Sequence, residues 1–342
     1  MNAIVYLSHG GPEVVRAQAM PEPEVRANDV LIRVRAVALN HLDLWIRRGL
    51  PRLTLAFPHI PGADVAGVVA QVGSEVTTVR EGDEVIVSPG LSCGVCGECV
   101  AGRDNLCPRY AILGEHRHGG YAEYVAVPEA NCLPKPARLS FEDAAAVPLV
   151  FLTAWNMLVD LARLRFGETV LIWGAGSGVG SAGIQIAKLY DARVIATSGA
   201  SWKLERAKAL GADIVINHRE QDVGEAVRRL TDRRGVDVVF DHVGAPTWQT
   251  SIRALSRGGR LVTCGATGGA EAATDIRYIY GRRLSIHGAW MGTKENLRSA
   301  MRLVEQGALR PVVHEVFPLD DAVRAQERME RSEHFGKLVL RV

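Results

Sequence analysis

The chain has 342 residues, with 40 Lys and Arg against 38 Asp and Glu, a formal net charge of +2, and 47% hydrophobic residues. That length is more than one core serves well and predicts two domains. The near-balance of charge lacks the basic excess that a nucleic-acid partner selects, so pairs such as Arg228-Arg229 and Arg282-Arg283 read as solvated faces.

From the N-terminus the chain reads as β-rich. In VLIRVRAVAL, 30–39, Ile32, Val34 and Ala36 alternate with Arg33 and Arg35, the period of a half-buried strand. GVVAQV, DEVIVS and YAEYVAV continue the pattern between Gly and Pro turns, which suggests a compact barrel. Inside it, LSCGVCGECVAGRDNLCP places Cys93, Cys96, Cys99 and Cys107 at the spacing C-x2-C-x2-C-x7-C. Four thiolates so spaced converge on one tetrahedral zinc. A pair of disulfides is the alternative; the opening residues show no apolar leader, so a reducing, cytoplasmic setting and hence the metal are expected. Four cysteines fill the shell and leave no place for water or substrate, so the ion is structural, one per subunit. Cys132 and Cys264 stand alone in apolar surroundings and read as core thiols.

From about Ser140 the texture changes. SFED, 140–143, offers a helix-capping box. The apolar run AAAVPLVFLTAW, 144–155, is interrupted by Pro148 and reads as too short to cross a bilayer, so no membrane partner is expected. Six apolar runs at 170–173, 193–197, 214–216, 236–241, 260–264 and 284–289 read as strands separated by helix-length segments, a doubly wound parallel sheet. The tail brings a helix, KENLRSAMRLVEQG, and a last strand, KLVLRV. The fold class is α/β, with a β-rich domain over 1–145 whose cysteine lobe spans about 90–110, a dinucleotide-type domain over 146–290, and a tail over 291–342.

VLIWGAGSGVGSAGIQIAKLY carries Gly174, Ala175, Gly176, Ser177, Gly178, Val179 and Gly180 from a strand into a helix. Glycines there let a pyrophosphate approach the backbone N–H groups at the helix N-terminus. A tight turn recruits glycine without any ligand, but five further strands behind this one make a dinucleotide the expected occupant. The spacing is a variant of G-x-G-x-x-G, because Val179 and Ser181 fall where a third glycine would stand. The second strand ends at Ser198 with no carboxylate for the ribose hydroxyls, and Ser201 and Lys203 follow. A 2′-phosphate is tolerated there, which favours NADPH, with NAD possible; Lys203 has the alternative of being an ordinary surface residue.

IPGADVAGVVAQVG, GDEV, the four-cysteine lobe, GGYAEY, AAAVPL followed by LTAW, the glycine turn, LGAD, GVDVVFDHVG, GGRLVTCG and GKLVL together resemble the medium-chain dehydrogenase/reductase superfamily. The likeness covers nearly the whole chain. It implies a GroES-like catalytic domain, a Rossmann domain with an active-site cleft between the two, and a C-terminal return to the catalytic domain. Zinc alcohol dehydrogenases of that superfamily hold a second, catalytic zinc, and the places of its ligands fall on Asn40, Ala63 and Leu149, with Leu42 at the proton-relay hydroxyl. NHLDLWIRRG instead resembles the quinone oxidoreductases at Asn40, Asp43, Trp45, Arg47 and Gly49, whereas the cysteine lobe resembles the alcohol dehydrogenases. By that likeness Asn40 and Trp45 face substrate, Thr153 lies near the nicotinamide, and Asp64 replaces the acidic residue beside the catalytic zinc.

His41, Asp43, His59 and Asp64 are candidates for a makeshift metal site, the alternative being a polar network; His116 and His118 read as a polar loop. Without a Lewis acid, oxidation of a simple alcohol loses its main charge stabilisation, whereas an electron-poor acceptor does not need it. The expected reaction is hydride transfer from NADPH to a quinone or α,β-unsaturated carbonyl, with Asn40 as hydrogen-bond donor to the carbonyl and Tyr121, His41 or water as proton donor. The rivals are a zinc-type alcohol dehydrogenase with a degenerate metal site and a non-catalytic NADPH-binding protein. A homodimer or homotetramer is expected by the resemblance, through the strand at 284–289.

Overall fold

A computed structural model describes residues 1–51 and 53–342. Contacts divide the chain into two units, one of Met1–Leu149 with Thr293–Val342 and one of Val150–Gly292. The chain opens with β1 (Asn2–Tyr6), β2 (Val15–Ala19), β3 (Asp29–Ala38), α1 (His41–Arg48), β4 (Asp64–Val72) and β5 (Glu84–Val87). Then come β6 (Gly90–Leu91), α2 (Gly97–Val100), β7 (Ala111–Ile112), β8 (Tyr124–Pro128), β9 (Cys132–Pro134), α3 (Phe141–Ala145) and α4 (Pro148–Trp155). The second unit continues with β10 (Thr169–Ile172), α5 (Gly178–Leu189), β11 (Arg193–Ser198), α6 (Ser201–Ala209), β12 (Ile214–Asn217) and α7 (Val223–Leu230). It ends with β13 (Val236–Asp241), α8 (Ala245–Ala254), β14 (Leu255–Thr263), α9 (Ile276–Arg282) and β15 (Ser285–Gly288), after which α10 (Lys294–Glu305), β16 (Val313–Pro318), α11 (Ala322–Glu330) and β17 (Lys337–Arg341) return to the first.

In the first unit β3 organises a seven-stranded sheet. Its Arg33 and Arg35 are exposed while Ile32 and Val34 are buried, as the alternation requires. One edge of β3 pairs with β4; the other passes from β8, opposite Asp29 to Arg33, to β17, opposite Ala36 to Ala38. The core beneath includes Val5, Ile32, Leu44, Val65, Tyr121 and Leu338. Full burial of such side chains contributes roughly 1.5–3 kcal/mol each. The register of this sheet gathers residues far apart in sequence: Ala38 faces both Asp64 and Val339, so Asn40, Asp64 and Lys337 meet at one end of three adjacent strands.

The second unit is a six-stranded parallel sheet in the order β12-β11-β10-β13-β14-β15. All four residues of β10 are buried, as expected where helices cover both faces. The strand order reverses between β10 and β13, and the glycine turn follows the carboxyl end of β10, which is where ligands of open α/β sheets bind.

Ser140 Oγ accepts from Asp143 N at 3.0 Å, capping α3. One expectation is corrected here: Pro148 does not cut the apolar run short. It opens α4, where its fixed φ is compatible with a first helical turn, and the stretch Phe141–Leu161 gives 21 residues long and apolar enough to cross a bilayer by length and composition. Of its most apolar window 72% is buried by the protein itself, as in a core helix. Cys132 and Cys264, expected as core thiols, are half-buried by exposure, and desolvation first, then the Glu129 and Asp241 charges, pushes their thiols up to about 12.

Candidate functional site

The four cysteines of the lobe come together. Their sulfurs all lie within 4.8 Å of one another, with Cys96 and Cys99 at 3.5 Å and Cys93 and Cys99 at 3.9 Å. A tetrahedron with zinc–sulfur bonds near 2.3 Å has edges of about 3.8 Å, so the donor set fits a structural zinc. Backbone N–H groups of Cys96 and Arg109 point at Cys93 and Cys107 sulfurs from 3.4 Å, as suits thiolates. Among the described residues no other set of three or more His, Cys, Asp or Glu gathers its ligand atoms in this way.

A second centre is formed where β3, β4 and β17 end. Lys337 Nζ donates to Asn40 Oδ1 at 2.6 Å and to Asp64 Oδ2 at 3.0 Å. Asn40 Nδ2 donates to the same Asp64 oxygen at 3.0 Å and to Ala38 O at 3.5 Å, while the Leu149 N–H donates to Asp64 Oδ1 at 2.8 Å. The amide orientation follows from the partners: a lysine can only donate, so it faces Oδ1, and a carboxylate accepts, so it faces Nδ2. Beside it, Asp43 Oδ2 accepts from the Asn40 N–H at 2.8 Å and from Tyr121 Oη at 3.0 Å, leaving Oδ1 buried and unpartnered. Burial raises the Asp43 carboxyl to about 6, against the opposing pull of Asn40 N–H, Tyr121 and Lys337.

The resemblance puts the ligands of a catalytic zinc at Asn40, Ala63 and Leu149, and the contacts there test whether these residues fit one. Ala63 is an apolar, fully buried residue, Leu149 offers only its backbone N–H, and Asn40 already uses Oδ1 on Lys337. The residues do not fit a zinc with three well-aimed ligands and an open position. His59 is bonded to Gly114 O at 2.9 Å, and the His116 and His118 rings accept from the N–H groups of Ile112 and Ile60. Trp45 stands outside the Lys337 network, half-buried with its ring 6.4 Å from that of His41. Tyr121 is fully buried, and burial first, then Asp43, raises its phenol well above the usual value, which makes it a poor acid.

In the second unit, Ser177 caps α5 by accepting from Gly180 N at 2.9 Å. Gly174 has φ +60, and a Cβ on it would sit 2.9 Å from the His242 ring; one on Gly180 would sit 2.5 Å from Gly174 O. Backbone therefore approaches backbone at Gly180, which takes the close-packing role that the irregular spacing leaves without a residue. Ala175, Gly176, Gly178 and Val179 complete the turn, whose helical N–H groups fit a pyrophosphate. Thr153 Oγ1, on α4, is buried without a partner, an orphan that a ligand's polar group would satisfy.

At the carboxyl end of β11, Ser198 is buried and Ser201 exposed at the start of α6. A Cβ on Gly199 would lie 2.7 Å from Arg219 Nε and 2.9 Å from His218 Nε2. Lys203 is half-buried, and burial followed by the Arg219 charge lowers its ammonium. Arg219 is thus a further cationic group at this strand end that sequence reading passes over, because it follows the next strand, β12. Lys337 is also missed as a site residue, although GKLVL counts towards the resemblance; only the β3–β17 register brings it to Asn40.

A β-rich domain with a four-thiolate lobe, joined to a parallel sheet carrying a glycine turn at its switch point, defines a dinucleotide-dependent oxidoreductase. The model of the alcohol dehydrogenase GroES-like domain matches residues 26–137, and that of the zinc-binding dehydrogenases matches 178–306. The chain is 32% identical over 348 residues to a quinone oxidoreductase of Sus scrofa, covering 99% of this chain and 97% of that one. It is 31% identical over 343 residues to an NAD-dependent alcohol dehydrogenase of Sulfolobus acidocaldarius, covering 98% of each. A crystal structure of an NAD-dependent alcohol dehydrogenase superposes with a TM-score of 0.97 at 51% identity over the whole of both chains. The chain belongs to the medium-chain dehydrogenase/reductase superfamily and is an NAD(P)-dependent oxidoreductase.

Proposed function

We propose that this oxidoreductase transfers hydride from NADPH to a quinone or an α,β-unsaturated carbonyl without a catalytic zinc, and that its one zinc per subunit is the structural ion of Cys93, Cys96, Cys99 and Cys107. The observation that carries the reading is Lys337, whose Nζ bridges Asn40 Oδ1 and Asp64 Oδ2 at 2.6 and 3.0 Å. The charge that Asp64 would present to a metal is met by a side chain of the protein itself, and neither Ala63 nor Leu149 supplies a ligand. The nicotinamide, when bound, supplies the hydride.

The protein's residues orient and polarise the acceptor. Lys337 on Oδ1 withdraws electron density from the Asn40 amide, which strengthens Nδ2–H as a donor. One Nδ2 hydrogen is taken by Asp64 at 3.0 Å; the other is held only by Ala38 O at 3.5 Å and is the one offered to an acceptor carbonyl. Lys337 and Asp64 are positioning residues in this scheme, and Thr153 Oγ1 is assigned to the nicotinamide. The absence of a carboxylate at Ser198, together with Arg219 and Lys203, supports NADPH over NADH. β15 is an edge strand with Ser285, Ile286 and Gly288 exposed, and pairing of that edge across a two-fold supports a homo-oligomer.

The test is a comparison of initial rates with NADPH against a quinone and an enal, and with NADP+ or NAD+ against primary and secondary alcohols. The reading expects turnover of at least one electron-poor acceptor and little alcohol oxidation. Alcohol oxidation that rises with added zinc favours the alcohol dehydrogenase instead; tight NADPH binding with no turnover of any substrate favours a non-catalytic role.

A further inference from the structure

At the amino-terminal ends of β13 and β14, beside α9, lies a cavity of about 260 Å³ lined by Arg228, Arg233, Arg234, Arg253, Arg282 and Tyr278, with Gly235 and Leu255 in its wall. Gly235 immediately precedes β13 and Leu255 opens β14, so this is the amino edge of a parallel sheet whose carboxyl edge carries the glycine turn. Six residues of β13, at about 3.3 Å each, separate the two edges by roughly 20 Å.

Five arginines line one small space, four of them exposed and Arg282 half-buried, and little of their charge is met by carboxylates of the protein. Arg234 is engaged by both oxygens of Asp237, at 2.6 and 2.9 Å. Among the described residues no carboxylate lies within ion-pair distance of Arg228, Arg233, Arg253 or Arg282. Asp275 feels Arg253 but is itself bound by Arg277 at 3.0 Å. Arg282 stacks on Tyr278 at 5.1 Å and donates to Leu255 O at 2.8 Å, and its Nε–H is buried with no partner. That orphan donor is an independent sign of a missing acceptor.

The frame is also ordered in advance. Thr231 Oγ1 donates to Val227 O at 2.7 Å and accepts from Gly235 N at 3.0 Å, and the Arg233 N–H donates to Arg228 O at 2.7 Å. Asp232 and Arg233 are both in the left-handed region, at φ 47 and 64.

We propose that this cavity is a second anion site of the protein, separate from the dinucleotide turn, for a small polyanion with clustered phosphate or carboxylate oxygens. Guanidinium forks match such oxygens two at a time, and the volume suits a group the size of a diphosphate. The proposal does not rest on which dinucleotide or acceptor the enzyme uses.

The experiment titrates inorganic pyrophosphate, and separately citrate, into NADPH-saturated protein by calorimetry at low ionic strength. Arg228 and Arg233 are exposed, so Arg228→Gln/Arg233→Gln should fold. Binding of either probe is expected, weakened by about tenfold or more in the double variant while NADPH affinity stays within about twofold. Tighter pyrophosphate identifies a phosphorylated ligand and tighter citrate a polycarboxylate. The site is overturned if neither probe binds, if the double variant binds as wild type does, or if NADPH displaces the probe. Should NADPH fail to bind at all, the same contrast in the unliganded protein still reads the arginine cavity, so the two failures remain separate.

Discussion

The cysteine lobe and the Asn40 centre belong to the same unit, and each gathers negative charge around one point, but they complete it differently. In the lobe four thiol groups converge within 4.8 Å and the protein sets one cation beside them, Arg109, bonded to Cys93, so on the proposed reading the remaining charge is met by a metal ion from solution. At Asn40 the cation is Lys337, covalently part of β17 and carried to Asp64 by strand pairing. On the proposed reading, one guanidinium among four thiolates leaves the lobe dependent on metal for its structure, whereas one ammonium beside one carboxylate leaves the Asn40 centre free to act through hydrogen bonds. The two zinc positions of the resemblance have, on that proposed reading, parted company in this chain, one serving as a scaffold and the other taken over by Lys337.

Substitutions that break each device should separate them. Cys107→Ser opens the shell of the lobe; zinc content should fall towards none, with a loss of about 4 kcal/mol or more in unfolding experiments. Lys337→Met leaves Asp64 buried and unpaired and should cost about 3–5 kcal/mol, with kcat falling more than KM rises for the acceptor, and zinc content unchanged. Lys337→Met with Asp64→Asn should recover most of the stability but not the rate, because the amide of Asn40 is no longer polarised.

Asp43 gives a smaller, pH-dependent effect. Its folded carboxyl titrates near 6 against an ordinary 3.8, so the native state holds a proton that the unfolded chain has released. Its contribution to stability is full below about pH 4 and is lost as pH rises through 6. Asp43→Asn removes that dependence, and the variant should gain on wild type across this window, by at most about 3 kcal/mol at pH 7.5, in denaturant titrations at a series of pH values. Smallest is Arg219→Gln, expected to raise KM for NADPH about tenfold and leave that for NADH unchanged; equal effects on both would remove Arg219 from the 2′-phosphate site.

Much of the fold is legible in the sequence because it rests on local signals. Alternation gives β3, the cysteine spacing gives the lobe, and apolar runs between helix-length segments give the parallel sheet. Asn40 and Asp64 read as site residues from the motifs around them, but their shared partner, Lys337, lies 273 positions beyond Asp64 and no periodicity links them. Arg219 escapes for the same reason, since it reaches Gly199 only because β11 and β12 are neighbours. The effect of Pro148 is misread because an interrupting proline and a helix-opening proline look alike until the helix boundary is known.

The most direct test is the zinc content of freshly purified protein after loosely bound metal has been removed. One equivalent per subunit, abolished by Cys107→Ser and unaffected by Asp64→Asn, is the predicted result. Two equivalents, one of them lost with Asp64→Asn, would contradict it and restore a catalytic metal at the centre assigned here to Lys337.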